Sequence, residues 1–268
     1  MYITIKKPFS INEIGKKMNN EDSIYPNGNQ GTTDNRLFLV CDGMGGSNKG
    51  EASSIACDSI QTYFNTFSDT GEKIDPEFIR KAIRYTEIRF DDYIKENPAA
   101  NGMATTLCLL YLASDRIYLT HAGNSRIYQF RKGKIIFKTE DHSLVNSMIR
   151  TGKIKPEEAE RHLQRNVICK AIQGSKAPVD IDITQITDIQ PDDRFLMCTD
   201  GVTESLKDDE LSELFSKNDS PEEILSVIKD RCNDKSRDNY SAYLVTINEI
   251  EEMSAFKHVM TSFLYAFI

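Results

Sequence analysis

Thr105-Thr106-Leu107-Cys108-Leu109-Leu110-Tyr111-Leu112, Ile117-Tyr118-Leu119-Thr120-His121, Ser125-Arg126-Ile127-Tyr128-Gln129-Phe130 and Lys134-Ile135-Ile136-Phe137-Lys138 follow one another with short breaks at Ser114-Asp115, Gly123-Asn124 and Lys132-Gly133. Each run has the length of a strand, and each break holds the Asp, Asn or Gly that a tight turn needs. The stretch therefore predicts a meander of antiparallel strands. A second strand group is expected at Val179–Thr187, Phe195–Thr199 and Tyr240–Ile247. Upstream, Ala52, Ile55, Ala56, Ile60, Tyr63, Phe64 and Phe67, then Phe78, Ile79, Ala82, Ile83, Phe90, Tyr93 and Ile94, recur at three- and four-residue steps. Each set is the single apolar face of a helix. Asp75-Pro76 is an N-cap followed by Pro at the first helical position, and Asn97-Pro98 closes the second helix. Helical patterns also occur at Leu211–Phe215, at Pro221–Arg231 and from Glu249 onward, while Ser143–Gly174 is polar and reads as a surface excursion. Grouped strands with helices outside them give an α+β plan of packed layers in one domain.

The chain has 268 residues with 41 acids against 33 bases, a net charge of −8. Nucleic-acid affinity comes mainly from Lys and Arg displacing counterions, so this balance argues against a nucleic-acid partner. The six cysteines are scattered and none forms a C-x-x-C pair, so they are expected to be buried thiols in a reducing compartment. Met1-Tyr2-Ile3-Thr4-Ile5-Lys6-Lys7-Pro8 lacks the apolar core of a signal peptide, which points to the cytoplasm. The apolar stretch from Met260 to Ile268 is far shorter than the roughly 20 residues of a membrane span. Phe256, Val259, Met260, Phe263, Leu264 and Phe267 recur at helical steps, so residues 249–268 are expected to form an amphipathic tail after a domain of residues 1–248.

The chemistry is signalled by Asp at strand ends. Arg36-Leu37-Phe38-Leu39-Val40-Cys41 runs into Asp42-Gly43-Met44-Gly45-Gly46, and Arg194-Phe195-Leu196-Met197-Cys198-Thr199 runs into Asp200-Gly201. Asp238 precedes the strand that starts at Tyr240, and Asn20-Glu21-Asp22-Ser23 lies ahead of the first Asp-Gly corner. One Asp-Gly is an ordinary turn. Several carboxylates delivered to the same place repel one another and raise their pKa values unless a cation intervenes. Ligands that are all oxygen favour Mg²⁺ or Mn²⁺ over zinc.

Taken in order, Asn20-Glu21-Asp22-Ser23, Asp42-Gly43-Met44-Gly45-Gly46, Gly102-Met103-Ala104-Thr105-Thr106, Ala122-Gly123-Asn124-Ser125-Arg126, Asp141-His142-Ser143, Thr199-Asp200-Gly201-Val202 and Asp238-Asn239 resemble the metal-dependent protein phosphatases, the type 2C serine/threonine family, in its bacterial single-domain form. The resemblance implies a four-layer αββα sandwich of two antiparallel sheets flanked by helices, with a flap at about residues 143–175. It implies two Mn²⁺ or Mg²⁺ ions, Asp42 bridging both, the Gly43 carbonyl completing one site, and Asp200 with Asp238 holding the other. Glu21 and Asp22 match acids that orient metal-bound waters. The implied reaction is hydrolysis of phosphoserine or phosphothreonine on proteins by a metal-activated water, without a phosphoenzyme. Phosphorylated proteins, products of a serine/threonine kinase, are the implied partners of a monomeric enzyme.

Three positions depart from the family pattern. Lys17 stands where an Arg usually grips the substrate phosphate, keeping the charge and losing the bidentate fork. Asn124 replaces an Asp of a third metal site, so a third ion is expected to bind weakly or not at all. Met44 has no proton to donate where some relatives carry His. Lys17 and Asn124 also favour a second reading, a phosphoprotein-binding module without catalysis; the complete set of acids for the two core ions favours the enzyme. Asp180-Ile181-Asp182-Ile183-Thr184 matches the D-x-D-x-T nucleophile motif of another phosphatase class but follows Lys176-Ala177-Pro178 rather than a buried strand, and reads as a half-exposed strand. No Cys is followed six residues on by Arg, and Walker A, G-x-S-x-G and H-E-x-x-H are absent. His142 and His121 are expected to be structural, and Thr105 and Thr106 to support the acids.

Overall fold

The computed structural model describes residues 2–46, 49–68, 73–159, 161–217 and 219–251. In chain order the elements are β1 (Tyr2–Ile5), β2 (Phe9–Glu13), β3 (Asp22–Tyr25), β4 (Leu37–Met44), α1 (Lys49–Ser68), α2 (Pro76–Glu96), β5 (Ala104–Thr105), β6 (Leu107–Leu112), β7 (Ile117–Ala122), β8 (Arg126–Arg131), β9 (Lys134–Lys138), α3 (Leu144–Arg150), α4 (Pro156–Ala159), β10 (Asp182–Ile186), β11 (Arg194–Cys198), α5 (Asp200–Ser205), α6 (Asp208–Ser216), α7 (Pro221–Lys235) and β12 (Tyr240–Glu251). The strands form two antiparallel sheets. One runs β10-β7-β6-β4-β3 with β5 on β4, and the other β1-β12-β11-β8-β9 with β2 on β12.

Alternation along each central strand divides its apolar residues between two cores. In β4, Phe38 and Val40 face the opposite sheet, where they meet Phe195, Met197, Tyr243 and Val245, while Leu37, Leu39 and Cys41 face α1 and α2. In β11, Phe195 and Met197 point between the sheets, whereas Leu196 and Cys198 pack under α6 and α7 through Leu211, Phe215, Ile224 and Ile228. The result is the expected four layers, helix, sheet, sheet and helix. A fully buried Leu, Ile or Phe contributes roughly 1.5–3 kcal/mol, so all three interfaces, helix on sheet, sheet on sheet and sheet on helix, hold the layers together. Helix ends follow the sequence signals: Asp75 Oδ1 accepts from the Glu77 and Phe78 amides at 2.9 and 3.0 Å, and Ser220 with Glu223 forms a capping box on α7.

Several expectations change. The run from Thr105 to Lys138 is not one meander but two hairpins, β6–β7 and β8–β9, in different sheets, because the chain crosses from one sheet to the other at Gly123-Asn124. The pattern reading placed no strands before Arg36, yet β1, β2 and β3 lie there. All three are short, and β1 and β2 pair with successive parts of β12, so their strand character comes from partners distant in sequence. The helix expected from Glu249 onward begins as strand: β12 continues through Glu251, opposite Tyr2, and the expected boundary at residue 248 falls inside it. The remainder of the tail lies outside the described residues. Cys169 is exposed, unlike the other five thiols. Within the excursion at 143–174, Ile172 is fully buried and pairs with Thr105.

Candidate active site

The acids gather at one end of the sandwich, and both sheets contribute. Asp22 and Asp42 are directly opposed on β3 and β4, two like charges in one cross-strand pair. Asp200 opens α5 just beyond β11, and Asp238 precedes β12 in the other sheet. Thr199 joins the two groups: its hydroxyl donates to Asp22 Oδ2 at 3.0 Å and accepts from the Ser241 amide at 2.9 Å.

The backbone around each acid is held tightly. The Asp42 amide donates to Thr106 Oγ1 at 2.9 Å, and its carbonyl accepts from the Thr105 hydroxyl and the Thr106 amide, each at 2.9 Å. The two threonines thus support the acid, as expected. The Gly43 amide donates to the Glu21 carbonyl at 2.9 Å, and Ser53 donates to the same oxygen at 2.6 Å. Gly43 is there because a Cβ at that position would lie 1.8 Å from the Lys49 carbonyl oxygen. At Gly201 a Cβ would lie 2.1 Å from the Asn239 carbonyl oxygen. Glycine therefore lets the chain beside Asp200 close on the chain beside Asp238.

Burial, then the neighbouring acids, sets the electrostatics. Removal from water pushes Asp22 up to about 7 and Asp200 up to about 6, with Asp238 adding repulsion to both. Asp42 is held well above the usual carboxylate range by burial and by Asp22, Asp200, Asp238 and Glu21. Protein donors satisfy part of this charge. Lys17 Nζ lies 2.8 Å from Asp238 Oδ1, Asn124 Nδ2 donates to Asp200 Oδ2 at 2.8 Å, and Lys49 Nζ lies 3.2 Å from Glu21 Oε2. The hydrogen bond to Asp238 raises the Lys17 pKa.

All of Glu21, Asp22, Asp42, Gly43, Asp200, Asp238, Lys17 and Asn124 are thus brought to one place. Among the described residues no group of three or more His, Cys, Asp or Glu side chains stands arranged to hold a metal ion. Asp22, Asp200 and Asp238 are each turned toward a hydroxyl, amide or ammonium of the chain. The donor set itself, oxygen throughout with repelling carboxylates, has the chemistry a hard divalent cation requires.

The sequence reading missed two supports. Asn239 Nδ2 donates to the Ile14 and Asn19 carbonyls at 2.7 and 2.9 Å while its Oδ1 accepts from the Glu21 amide at 2.9 Å, so one amide fixes the loop that carries Lys17 and Glu21. Lys49 carried no signal beyond its proximity to the Asp42 corner. His142 behaves as expected: Nδ1 accepts from the Gly123 amide at 3.3 Å, Nε2 donates to Asp182 at 2.7 Å, and the ring stacks on His121 at 4.3 Å. Asp182, from the D-x-D-x-T match, also pairs with Lys170 at 3.1 Å on the edge strand β10, a structural rather than nucleophilic setting.

Comparison with known proteins agrees with this arrangement. The serine/threonine phosphatase stp of Listeria welshimeri is 30% identical over 220 residues, 81% of this chain and 86% of that protein. The crystal structure of the serine/threonine phosphatase Stp1 from Staphylococcus aureus superposes with a TM-score of 0.76 at 27% identity, covering 91% of this chain and 95% of that one. The catalytic domain of the serine/threonine protein phosphatase PstP, solved with two manganese ions, shares the fold at a TM-score of 0.73 and 24% identity, over 92% of this chain and all of that one. The family described as protein phosphatase 2C matches residues 12–239, a span that begins before Lys17 and ends at Asn239, and the chain belongs to that family.

Proposed function

We propose that this chain hydrolyses phosphoserine and phosphothreonine on proteins, using two divalent cations, Mn²⁺ or Mg²⁺, at the junction of the two sheets. The observation that carries the reading is the convergence of Asp22 and Asp42 from one sheet with Asp200 and Asp238 from the other, burial and neighbouring acids raising the pKa of Asp22, Asp42 and Asp200. Asp42 would bridge the two cations, the Gly43 carbonyl would complete one site, and Asp200 with Asp238 would hold the other. When bound, the cations supply an ionised attacking water and neutralise charge on the phosphoryl oxygens.

The chain's own residues supply position and charge. Thr105 and Thr106 fix Asp42 through its backbone. Thr199 orients the buried Asp22, and Lys49 holds the half-buried Glu21, so these two acids would accept hydrogen bonds from water beside the cations. Lys17, on the exposed side, offers a single ammonium to a substrate phosphate. The family's serine/threonine phosphatase activity and the curated relatives' names support a phosphoprotein substrate, the product of a kinase. Residues 143–175 would form the flap beside the site. All six cysteines are free, in keeping with a reducing cytoplasmic setting. Among the described residues no helix is long and apolar enough to cross a membrane.

The direct test measures release of phosphate from a small aryl phosphate and from a phosphothreonine peptide, with Mn²⁺ and with excess chelator. Hydrolysis is expected only with the cation, and Asp42→Asn should remove most of it. Full activity in chelator, or none on either substrate with Mn²⁺, overturns the proposal.

A further inference from the structure

Lys17 and Asn124, the two departures closest to the acids, do the same thing to the same half of the site. Lys17 Nζ sits 2.8 Å from Asp238 Oδ1, and Asn124 Nδ2 sits 2.8 Å from Asp200 Oδ2. Asp238 and Asp200 are the two carboxylates assigned above to a single cation. Both already have an N–H donor of this chain in hydrogen-bond contact. The Asn124 contact is made at a cost: its Oδ1 is buried and has no hydrogen-bond partner. Turning the amide over would set that oxygen against the Asp200 carboxylate, acceptor against acceptor, so the amide keeps Nδ2 on Asp200 and leaves Oδ1 unpaired.

We infer that Lys17 and Asn124 form a displaceable latch on the Asp200–Asp238 half of the site, so that a divalent cation enters there only by displacing an ammonium and an amide, and the two cation sites fill unequally. The inference rests on the cation assignment proposed above. A lysine suits the role of the displaced partner. Its ammonium is a point charge on a flexible stem, whereas an arginine would grip a carboxylate with a fork. The Lys17 side chain is 36% exposed, so the released ammonium moves into water rather than into a second buried contact. One ammonium cannot serve Asp238 and a substrate phosphate in the same position. Loading of this half with a cation therefore frees Lys17 for the phosphate, and cation entry and substrate capture become sequential.

The test is calorimetric titration of Mn²⁺ into the chelator-treated full chain, comparing the parent with Lys17→Met and Asn124→Ala, alongside thermal melting without metal. The parent should show two unequal steps. Either substitution should strengthen the weaker step by about two- to fivefold, the scale of one partly exposed polar contact, and leave the tighter step in place. Lys17→Met should also lower the melting temperature of the metal-free chain, because the acids lose a counter-charge, and widen the gain on adding Mn²⁺. Variants whose titrations superimpose on the parent's, or that bind Mn²⁺ more weakly, overturn the latch alone. A parent that takes up no Mn²⁺ overturns both the latch and the cation assignment.

Discussion

Replacing Gly43 by alanine should disable the site with a single methyl group. The added Cβ would lie 1.8 Å from the Lys49 carbonyl oxygen, 2.5 Å from the Lys49 carbonyl carbon and 2.9 Å from the Glu21 carbonyl oxygen. Carbon atoms in contact sit at about 3.5–4.0 Å, so the start of α1 must retreat by roughly 1.5 Å. All three obstructing atoms are backbone, and no change of rotamer relieves them. The Glu21 carbonyl also accepts from Gly43 and Ser53, so the retreat strains two hydrogen bonds beside the acids. Overpacking of this kind costs about 1–3 kcal/mol, and the two weakened hydrogen bonds together about 1 more, giving roughly 2–4 kcal/mol in all. For a chain of this size that lowers the melting temperature by about 5–15 °C. A displacement near 1 Å at a catalytic centre costs about 10²-fold in turnover, and Asp42 is the adjoining residue. The assay is thermal melting together with turnover of a small aryl phosphate at saturating Mn²⁺. Gly102→Ala is the comparison: its Cβ meets nothing within 4 Å, while its φ of +84° leaves backbone strain alone. A Gly43→Ala protein that melts and turns over like the parent, or loses no more turnover than Gly102→Ala, refutes the close-approach argument.

Three further outcomes follow from named contacts. Thr199→Val removes the hydroxyl that donates to Asp22, whose pKa is raised to about 7 by burial; a raised carboxylate contributes stability at low pH that is lost as pH rises through its folded value. The metal-free variant should therefore lose about 1–3 kcal/mol relative to the parent at pH 8 and much less at pH 5, and a loss independent of pH refutes the assignment. Burial pushes the His121 and His142 imidazoles down, so their share of stability is present above the ordinary value of about 6.5 and is lost as pH falls below it; His142→Gln should melt with a shallower acid-side decline than the parent, and parallel curves exclude this account. Arg126 grips Asp141 with bonds of 2.6 and 2.8 Å, and Asn146 holds the Asp141 carbonyl at the start of α3. Arg126→Met strands a largely buried carboxylate at a cost of about 3–5 kcal/mol and should speed proteolysis within residues 143–175; unchanged melting and cleavage contradict it.

What the sequence made legible was local. The hairpins β6–β7 and β8–β9 carry their own turns, and the cap at Asp75-Pro76 carries its own partner amides, so these could be read without knowing the rest of the chain; that the chain changes sheet at Gly123-Asn124 could not. The acids could be read too, because a strand followed by Asp-Gly is a local event, even though their convergence is not. Residues whose role depends on distant partners were hidden. β1 owes its existence to Ile247, Ile250 and Glu251, and nothing in Tyr2-Ile3-Thr4-Ile5 alone announces them. Asn239 ties down Ile14, Asn19 and Glu21 from more than two hundred residues away, a contact that closes only when the sheets are stacked. The contact between Lys17 and Asp238 is of the same kind: spacing to Asp22 drew attention to the lysine, but its partner belongs to the other sheet.

The placement of the acids on two different sheets also makes the core between those sheets a functional element. Phe38 and Tyr243, with ring centroids 5.0 Å apart, are not ligands to anything, yet they help set how far apart β4, which bears Asp42, and β12, which Asp238 precedes, lie. A cation at the junction would act as a rivet between two plates, and the plates would in turn set the gauge of the hole. Truncation of either ring should then be detected first as weaker Mn²⁺ uptake, well before the fold is lost. Surveys of loss-of-function substitutions in this chain should find such aromatic positions among the defects in metal loading, far from any carboxylate.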